Sequence, residues 1–278
     1  MPSVKRHRQT WERISSRANP LLQSLRSALR TGKPDAAGFC AVEGVHVVRE
    51  ALAAKLEVYA MVASESAGRH LPAIESLLPS RTRRYLVSER VFATIADTES
   101  PQGIAAMVRL PKWEEADLFR DEPQLVLLLD DVQDPGNLGA ILRSAEAFHA
   151  TGVFLTRSSA RRTNPKVLRA AAGSVFRLPI VEGKSAREAI ASARNHQLRL
   201  FAAVPREGKS PAMVDFRAGV VLAIGGEGQG LSAEVAALAD ERISVPMALP
   251  VESLNAAVAA SVLLYEAARQ RGTSGWGI

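Results

Sequence analysis

Three stretches of this 278-residue chain gather side chains of the kind that orient a substrate, each beside an apolar run. The first is Asn137 with Arg143 six residues on, after the polar loop Asp130-Asp131-Val132-Gln133-Asp134-Pro135-Gly136. An amide and a guanidinium that close on one helix can address the same end of a sheet. Taken singly, they read as a helix cap and a surface arginine. The second stretch is Gly225-Gly226-Glu227-Gly228-Gln229-Gly230-Leu231-Ser232, a carboxylate among glycines that let the backbone approach a ligand or take positive φ. A dinucleotide fingerprint fails here, because Leu231 stands where the third glycine belongs, and the loop has no Gly-Lys-Ser of a phosphate loop. By itself it is equally a tight turn with an exposed Glu. The third is Glu252, Ser253 and Asn255 at the head of the last apolar segment, where Ser253 alone reads as an N-cap.

The elements that must position these groups follow from periodicity. From Asn19 to about Leu110 helical and strand patterns alternate: a helix capped by Asn19 with Pro20 first, a strand at 39–42, a helix at 45–55, a strand at 58–62, then further elements at 74–78, 84–87, 91–96 and 103–108. Such alternation predicts a small α/β domain over residues 1–110. Residues 109–123, with two prolines and five acids, read as a linker, so the boundary falls at 111–123. The run Leu125-Val126-Leu127-Leu128-Leu129 predicts a central strand buried on both faces and opens a second α/β domain, residues 124–278. Further strands are expected at 152–156, 198–204 and 220–224, helices at 165–172 and 186–196, and a short β-like run at Val245-Pro246-Met247. In an open α/β sheet ligands sit beyond the carboxyl ends of the strands, which brings the three polar stretches to one place. The last helix carries Leu254, Val258, Ser261, Val262 and Tyr265 on one stripe, with Ala256, Ala257, Ala260, Leu263 and Leu264 on the others, so it is core, subunit interface or both.

Composition bounds the class. Hydrophobic residues are 47% and charged residues 23%, ordinary for a globular chain. No apolar run approaches the ~18 residues of a membrane span. Cys40 is the single cysteine and the five histidines lack ligand spacing, so no metal site is expected and a reducing, cytoplasmic setting is. The net charge is +6, and residues 1–33 hold eight Lys or Arg against Glu12 alone, leaving 27 basic and 28 acidic residues elsewhere. A basic arm on a neutral body suits a polyanion partner, or is a solvated tail. Arg157, Arg161, Arg162, Lys166 and Arg169 around Asn164-Pro165 form a second basic segment that can hold the phosphates of a polyanion, or is a solvated basic loop.

Asn137-x-Gly139-x-x-x-Arg143, Gly225-x-Glu227-Gly228-x-Gly230-Leu231-Ser232, and Val245-Pro246-Met247 with Ser253-Leu254-Asn255 resemble, in order and spacing, the three motifs of the SpoU/TrmH family of RNA ribose 2′-O-methyltransferases. The resemblance spans residues 124–271. Phe39-x-x-Val42-Glu43-Gly44 and Pro101-Gln102-Gly103-Ile104 are similar to the substrate-binding domain that many members carry. It implies a parallel sheet threading a trefoil knot, a homodimer through the last helix, and an S-adenosyl-L-methionine (AdoMet) site at Gly225, Val245 and Leu254. It also implies that Asn137, Arg143, Glu227, Ser253 and Asn255 surround the reacting ribose. Arg143, a guanidinium that resists deprotonation, is expected to act by electrostatic activation of the hydroxyl and not as a base. The chain departs from the pattern at Ala248-Leu249-Pro250, where a glycine is common, and at Ala257, where a serine is common. Because a separate substrate domain accompanies the catalytic one, ribosomal RNA is expected ahead of transfer RNA. A transfer RNA enzyme, a resistance-type ribosomal RNA enzyme of the same fold and a binding factor without catalysis are the alternatives.

Overall fold

The structure is a computed structural model and describes residues 10–272. Lys5, Arg6 and Arg8 of the basic arm lie outside the described residues. The chain divides into two compact units: residues up to Pro111 together with Thr163–Arg169, and Lys112–Arg162 together with the chain from Ala170.

The first unit runs β1 (Glu12–Arg13), α1 (Pro20–Thr31), β2 (Cys40–Glu43), α2 (Val45–Ala53), β3 (Glu57–Ser64), a short 3-10 turn, α3 (Leu71–Glu75), β4 (Arg83–Val87), α4 (Glu89–Ile95) and β5 (Ile104–Arg109). Its mixed sheet has the order β1-β4-β3-β5-β2, with β5 antiparallel to both neighbours. Asn19 caps α1 by accepting from Leu21 N–H at 2.9 Å, and Leu22, Leu25, Ala28 and Leu29 enter the core. The two motifs of this unit have local work to do. Glu43, only 3% exposed, accepts from Asp97 N–H at 2.8 Å, and Gln102 Oε1 accepts from Val45 N–H at 2.9 Å at the start of α2, where no cap side chain stands. Thr163–Arg169 joins this unit through Thr163 Oγ1, which donates to Gly32 O at 2.6 Å, and an Arg169–Asp97 pair at 3.1 Å.

The second unit contains α5 (Glu115–Leu118), β6 (Leu125–Asp130), α6 (Pro135–Ala147), β7 (Gly152–Thr156), α7 (Pro165–Ala170, shared with the first unit), β8 (Ile180–Lys184), α8 (Ala186–Asn195), β9 (Arg199–Ala203), β10 (Val220–Gly225), α9 (Ala233–Leu238), β11 (Glu241–Ile243) and α10 (Ala256–Arg271). All its strands pair in parallel, in the order β11-β9-β10-β6-β7-β8. Leu125 through Leu129 are fully buried, as a strand covered on both faces requires, and each such side chain contributes about 1.5–3 kcal/mol by leaving water. One face carries Leu118, Phe119, Ile190 and Val235 against Val126, Leu128 and Phe154.

Four expectations change. The segment read as a linker contains α5, whose Leu118 and Phe119 are buried in the second core, because an acidic capping box (Glu114 with Asp117) nucleates a turn between the prolines. β8 was not expected: it is an edge strand whose Glu182 and Gly183 are exposed, so it lacks an apolar run. α9 was also missed, since six residues give too few apolar positions to show a period. The last strand is Glu241–Ile243 and not Val245–Met247, because Ser244 N–H turns to Lys209 O at 3.0 Å and Pro246 has no N–H to pair.

Candidate active site

The strand order reverses between β6 and β10, so a crevice is expected beyond their carboxyl ends. Next to that switch point, beyond β9, β10 and β11, the chain forms a cleft of about 470 Å³, lined by the turn after β9 (Ala203–Pro205), the glycine loop after β10, Ile243 at the end of β11 with Val245 and Met247 after it, and Ser253, Leu254 and Ala256 at the head of α10. Its size suits a small ligand, and its walls are mainly apolar. Glu227 is the one charged side chain among the lining residues.

The glycine loop exists in this form because there is no room for side chains. A Cβ at Gly225 would lie 2.1 Å from the carbonyl carbon of Gly230, and one at Gly226 would lie 2.0 Å from Asp131 O. Gly230, at φ +69°, turns the chain and donates its N–H to Gly226 O at 3.0 Å. The loop is anchored to the end of β6: Asp130 O accepts from Gly226 N–H, and the buried Asp130 carboxylate accepts from Ser232 N–H, both at 3.0 Å. Sequence reasoning passed over Asp130, although an acid closing a wholly apolar strand was the available signal. Ser232 then caps α9, accepting from Val235 N–H at 3.4 Å.

Asn137 and Asn255 meet. Asp134, not Asn137, caps α6 by accepting from Asn137 N–H at 2.7 Å, and this leaves the Asn137 side chain free. Asn137 Oδ1 accepts from Asn255 Nδ2 at 3.0 Å. The same Asn255 side chain caps α10 through Oδ1, which accepts from Ala257 N–H at 2.9 Å and Val258 N–H at 3.3 Å. The cap therefore sits two residues later than the Ser253 reading placed it, and Ser253 belongs to the cleft wall.

Of the predicted site residues, Gly225, Glu227, Val245, Ser253 and Leu254 line the cleft, and Asn137 and Asn255 are joined beside it. Arg143 is not brought in. It is exposed on α6, about 9 Å along the axis from Asn137, with no hydrogen-bond or ion-pair partner among the described residues. The loop carrying Ala248-Leu249-Pro250 is exposed, with Leu249 at 85%, and Leu249-Pro250 is a cis peptide. The basic segment is largely committed to local pairs: Arg157 to Glu188, Arg162 to Glu182 at 2.6 Å and Arg169 to Asp97, which leaves Arg161 and Lys166 as its exposed cations without such pairs. Gly-Lys-Ser occurs at residues 183–185 and 208–210, without a glycine five positions earlier. There Lys184 pairs with Glu115, Ser185 caps α8 and Lys209 pairs with Glu241, so neither forms a phosphate loop. No group of three or more His, Cys, Asp or Glu among the described residues can hold a metal.

Comparison with known proteins places the chain in a family. Residues 124–265 match the SpoU rRNA methylase family and residues 19–106 the MRM3-like substrate binding domain. An uncharacterized tRNA/rRNA methyltransferase of Synechocystis is 36% identical over 93% of this chain and 94% of its own length. The 23S rRNA (guanosine(2553)-2′-O)-methyltransferase RlmP of Bacillus subtilis is 32% identical over 81% of this chain and 86% of its own. Among solved structures, the SpoU methyltransferase AviRb from Streptomyces viridochromogenes in complex with AdoMet is similar with a TM-score of 0.80 and 29% identity, over 91% of this chain and 98% of that one. With two domains matched in order and relatives aligned over nearly the full length, the chain belongs to the SpoU rRNA methylase family, a family of AdoMet-dependent RNA 2′-O-methyltransferases.

Proposed function

We propose that this protein transfers the methyl group of AdoMet to a ribose 2′-hydroxyl of ribosomal RNA of the 23S type, as a cytoplasmic homodimer with a trefoil-knotted catalytic domain. The observation that carries the reading is the cleft beyond β9, β10 and β11, with its glycine cradle on one side and the joined asparagines beside it. The residues present fit AdoMet. Gly225 and Gly226 pack directly on the backbone of Gly230 and Asp131, which fixes the shape of the loop at the cleft wall, and Val245, Leu254 and Leu263 offer apolar walls to an adenine ring. RlmP and the 23S rRNA (guanosine-2′-O-)-methyltransferase RlmB of Xanthomonas campestris support the ribosomal substrate. For the dimer, Val258, Val262 and Tyr265 of α10 are 49%, 39% and 47% exposed and form one apolar face with Ala140 and Phe148. For the knot, β10 returns to lie between β9 and β6.

AdoMet supplies an electrophilic methyl group. The protein's part is to hold the 2′-oxygen in line with it, since positioning alone removes several kcal/mol of barrier, on the order of 7–11 in favourable cases. The amides of Asn137 and Asn255 and the hydroxyl of Ser253 orient the ribose, and Glu227 accepts a hydrogen bond from it. Arg143 stabilises the negative charge that grows on the 2′-oxygen as its proton passes to solvent water, and holds the adjacent phosphate. Because Arg143 does not line the cleft of its own chain, yet stands on α6 between Ala140 and Phe148 of the apolar face, pairing of two copies delivers it to the partner's cleft.

The test is methyl transfer from tritiated AdoMet to protein-free 23S rRNA and, separately, to total transfer RNA. Label in the 23S rRNA at a ribose, with Arg143→Lys reducing turnover by about 100-fold or more while the Kd for AdoMet holds, is the expected result. Label confined to transfer RNA would overturn the substrate, and no label in either would overturn the activity.

A further inference from the structure

The first unit holds a cleft of its own. α1 buries Leu22, Leu25, Ala28 and Leu29, whereas Gln23, Arg26 and Arg30, at i, i+3 and i+7, fall together on another face. With Arg17 ahead of the helix and Ala93 and Thr94 of α4, they line a cavity of about 420 Å³. Every charged side chain in that lining is a guanidinium. None of the three has a hydrogen-bond or ion-pair partner among the described residues, although other arginines of this unit do: Arg13 pairs with Glu65, Arg109 with Glu57 and Arg169 with Asp97.

Arg26 carries the sharpest signal. Its Nε is shut off from solvent and has no acceptor among the described residues. A buried donor left unpaired costs about 1–3 kcal/mol, which an incoming oxygen would recover. The neutral groups of the lining are already engaged, since Gln23 Nε2 donates to Arg17 O at 2.8 Å and Thr94 Oγ1 donates to Val91 O at 2.7 Å. What the cavity offers a ligand is therefore a set of planar guanidinium donors with no competing carboxylate. That set matches the several anionic oxygens of a phosphate, which guanidinium forks bind in bidentate fashion.

We propose that Arg17, Arg26 and Arg30 form a phosphodiester-binding cleft in the first unit that grips the backbone of the RNA substrate. The proposal rests on the RNA-modifying function given above for its choice of ligand. The contact is to backbone and carries no base specificity, so its signature is electrostatic: each phosphate neutralised adds roughly 0.7–0.9 to the slope of log K against log salt.

The experiment compares the full-length protein with Arg17→Gln/Arg26→Gln/Arg30→Gln and with Arg49→Gln/Arg69→Gln/Arg81→Gln, which removes equal charge from the same unit at positions outside the cavity. Binding to a protein-free 23S rRNA transcript is measured from 50 to 200 mM salt, with AdoMet affinity and methyl transfer recorded alongside. The cleft variant should lower the salt slope by about 2–3 and the control by less than 1, with AdoMet affinity unchanged in both. If the triple variant folds poorly, the exposed Arg30→Gln alone should lower the slope by about 0.7–0.9, and Arg30→Lys should restore it. Equal slopes for cleft and control variants would overturn the proposal. A wild-type protein that methylates RNA while those slopes stay equal loses only this cleft, whereas a wild-type protein without transfer but with the slope difference loses only the methyltransferase reading.

Discussion

Asn255 serves two elements with one amide, and this makes it the residue at which stability and activity can be separated. Its oxygen caps α10 while its nitrogen donates to Asn137 at 3.0 Å. Serine caps a helix as well as asparagine does but is too short to reach Asn137. Asn255→Ser should therefore leave the unfolding free energy within about 0.5 kcal/mol of wild type, while Asn255→Ala costs about 1 kcal/mol. Both should lose turnover to a similar degree, about 10-fold or more, because Asn137 is no longer oriented. Urea unfolding and methyl-transfer rates on the two variants check this, and activity that tracks stability would reduce Asn255 to a cap. In the sequence Asn137 and Asn255 were legible as separate polar residues near helix starts, but not as this pair. Which of Ser253 and Asn255 caps α10, and whether Asp134 or Asn137 caps α6, depends on where each helix begins. Adjacent polar residues leave that open until the backbone is fixed.

Among the elements, β6 was legible because five successive apolar residues admit few other fates, whereas β8, α5 and α9 were not. Those three are short and half polar, and they hold their shape through partners distant in sequence, such as Lys184 with Glu115. The far end of α10 depends on a contact of the same long-range type. Arg271 donates to four carbonyl oxygens, those of Phe216, Pro123, Gln124 and Ala218, and ties the helix to the starts of β6 and β10. Burial pushes its guanidinium down to about 10, still far above neutral pH, so the charged form makes these bonds in any ordinary assay. Arg271→Gln should destabilise the protein by about 2–4 kcal/mol, since several carbonyls lose a charged donor at once. Arg271→Lys, with fewer donors in a different geometry, should recover only part of that. The urea midpoint should fall at unchanged m-value, and an unaltered midpoint would show that α10 is held by its apolar contacts alone.

For the whole molecule, the arrangement of α6 and α10 decides whether one chain is a complete enzyme. Ser144 and Ser261 bond across the two helices at 2.7 Å, Phe148 meets Tyr265 edge-on at 5.8 Å, and the apolar face they share lies open beside Arg143. In the proposed two-fold dimer, Arg143 of each copy would complete the cleft of the other. The consequence can be read by mixing two inactive chains. Arg143→Ala keeps the cleft and lacks the cation; Leu254→Arg keeps the cation and fills the cleft, which Leu254 lines. If Arg143 acts across the interface, refolding the two together in equal amounts gives mixed dimers with one intact site each, and activity returns to about a quarter of wild type. If Arg143 serves its own cleft, no mixed dimer has an intact site and activity stays at the level of the separate variants. Val262→Glu, which sets a charge in the centre of the face, should abolish both dimer and complementation, so that loss of rescue in its presence ties the activity to that surface.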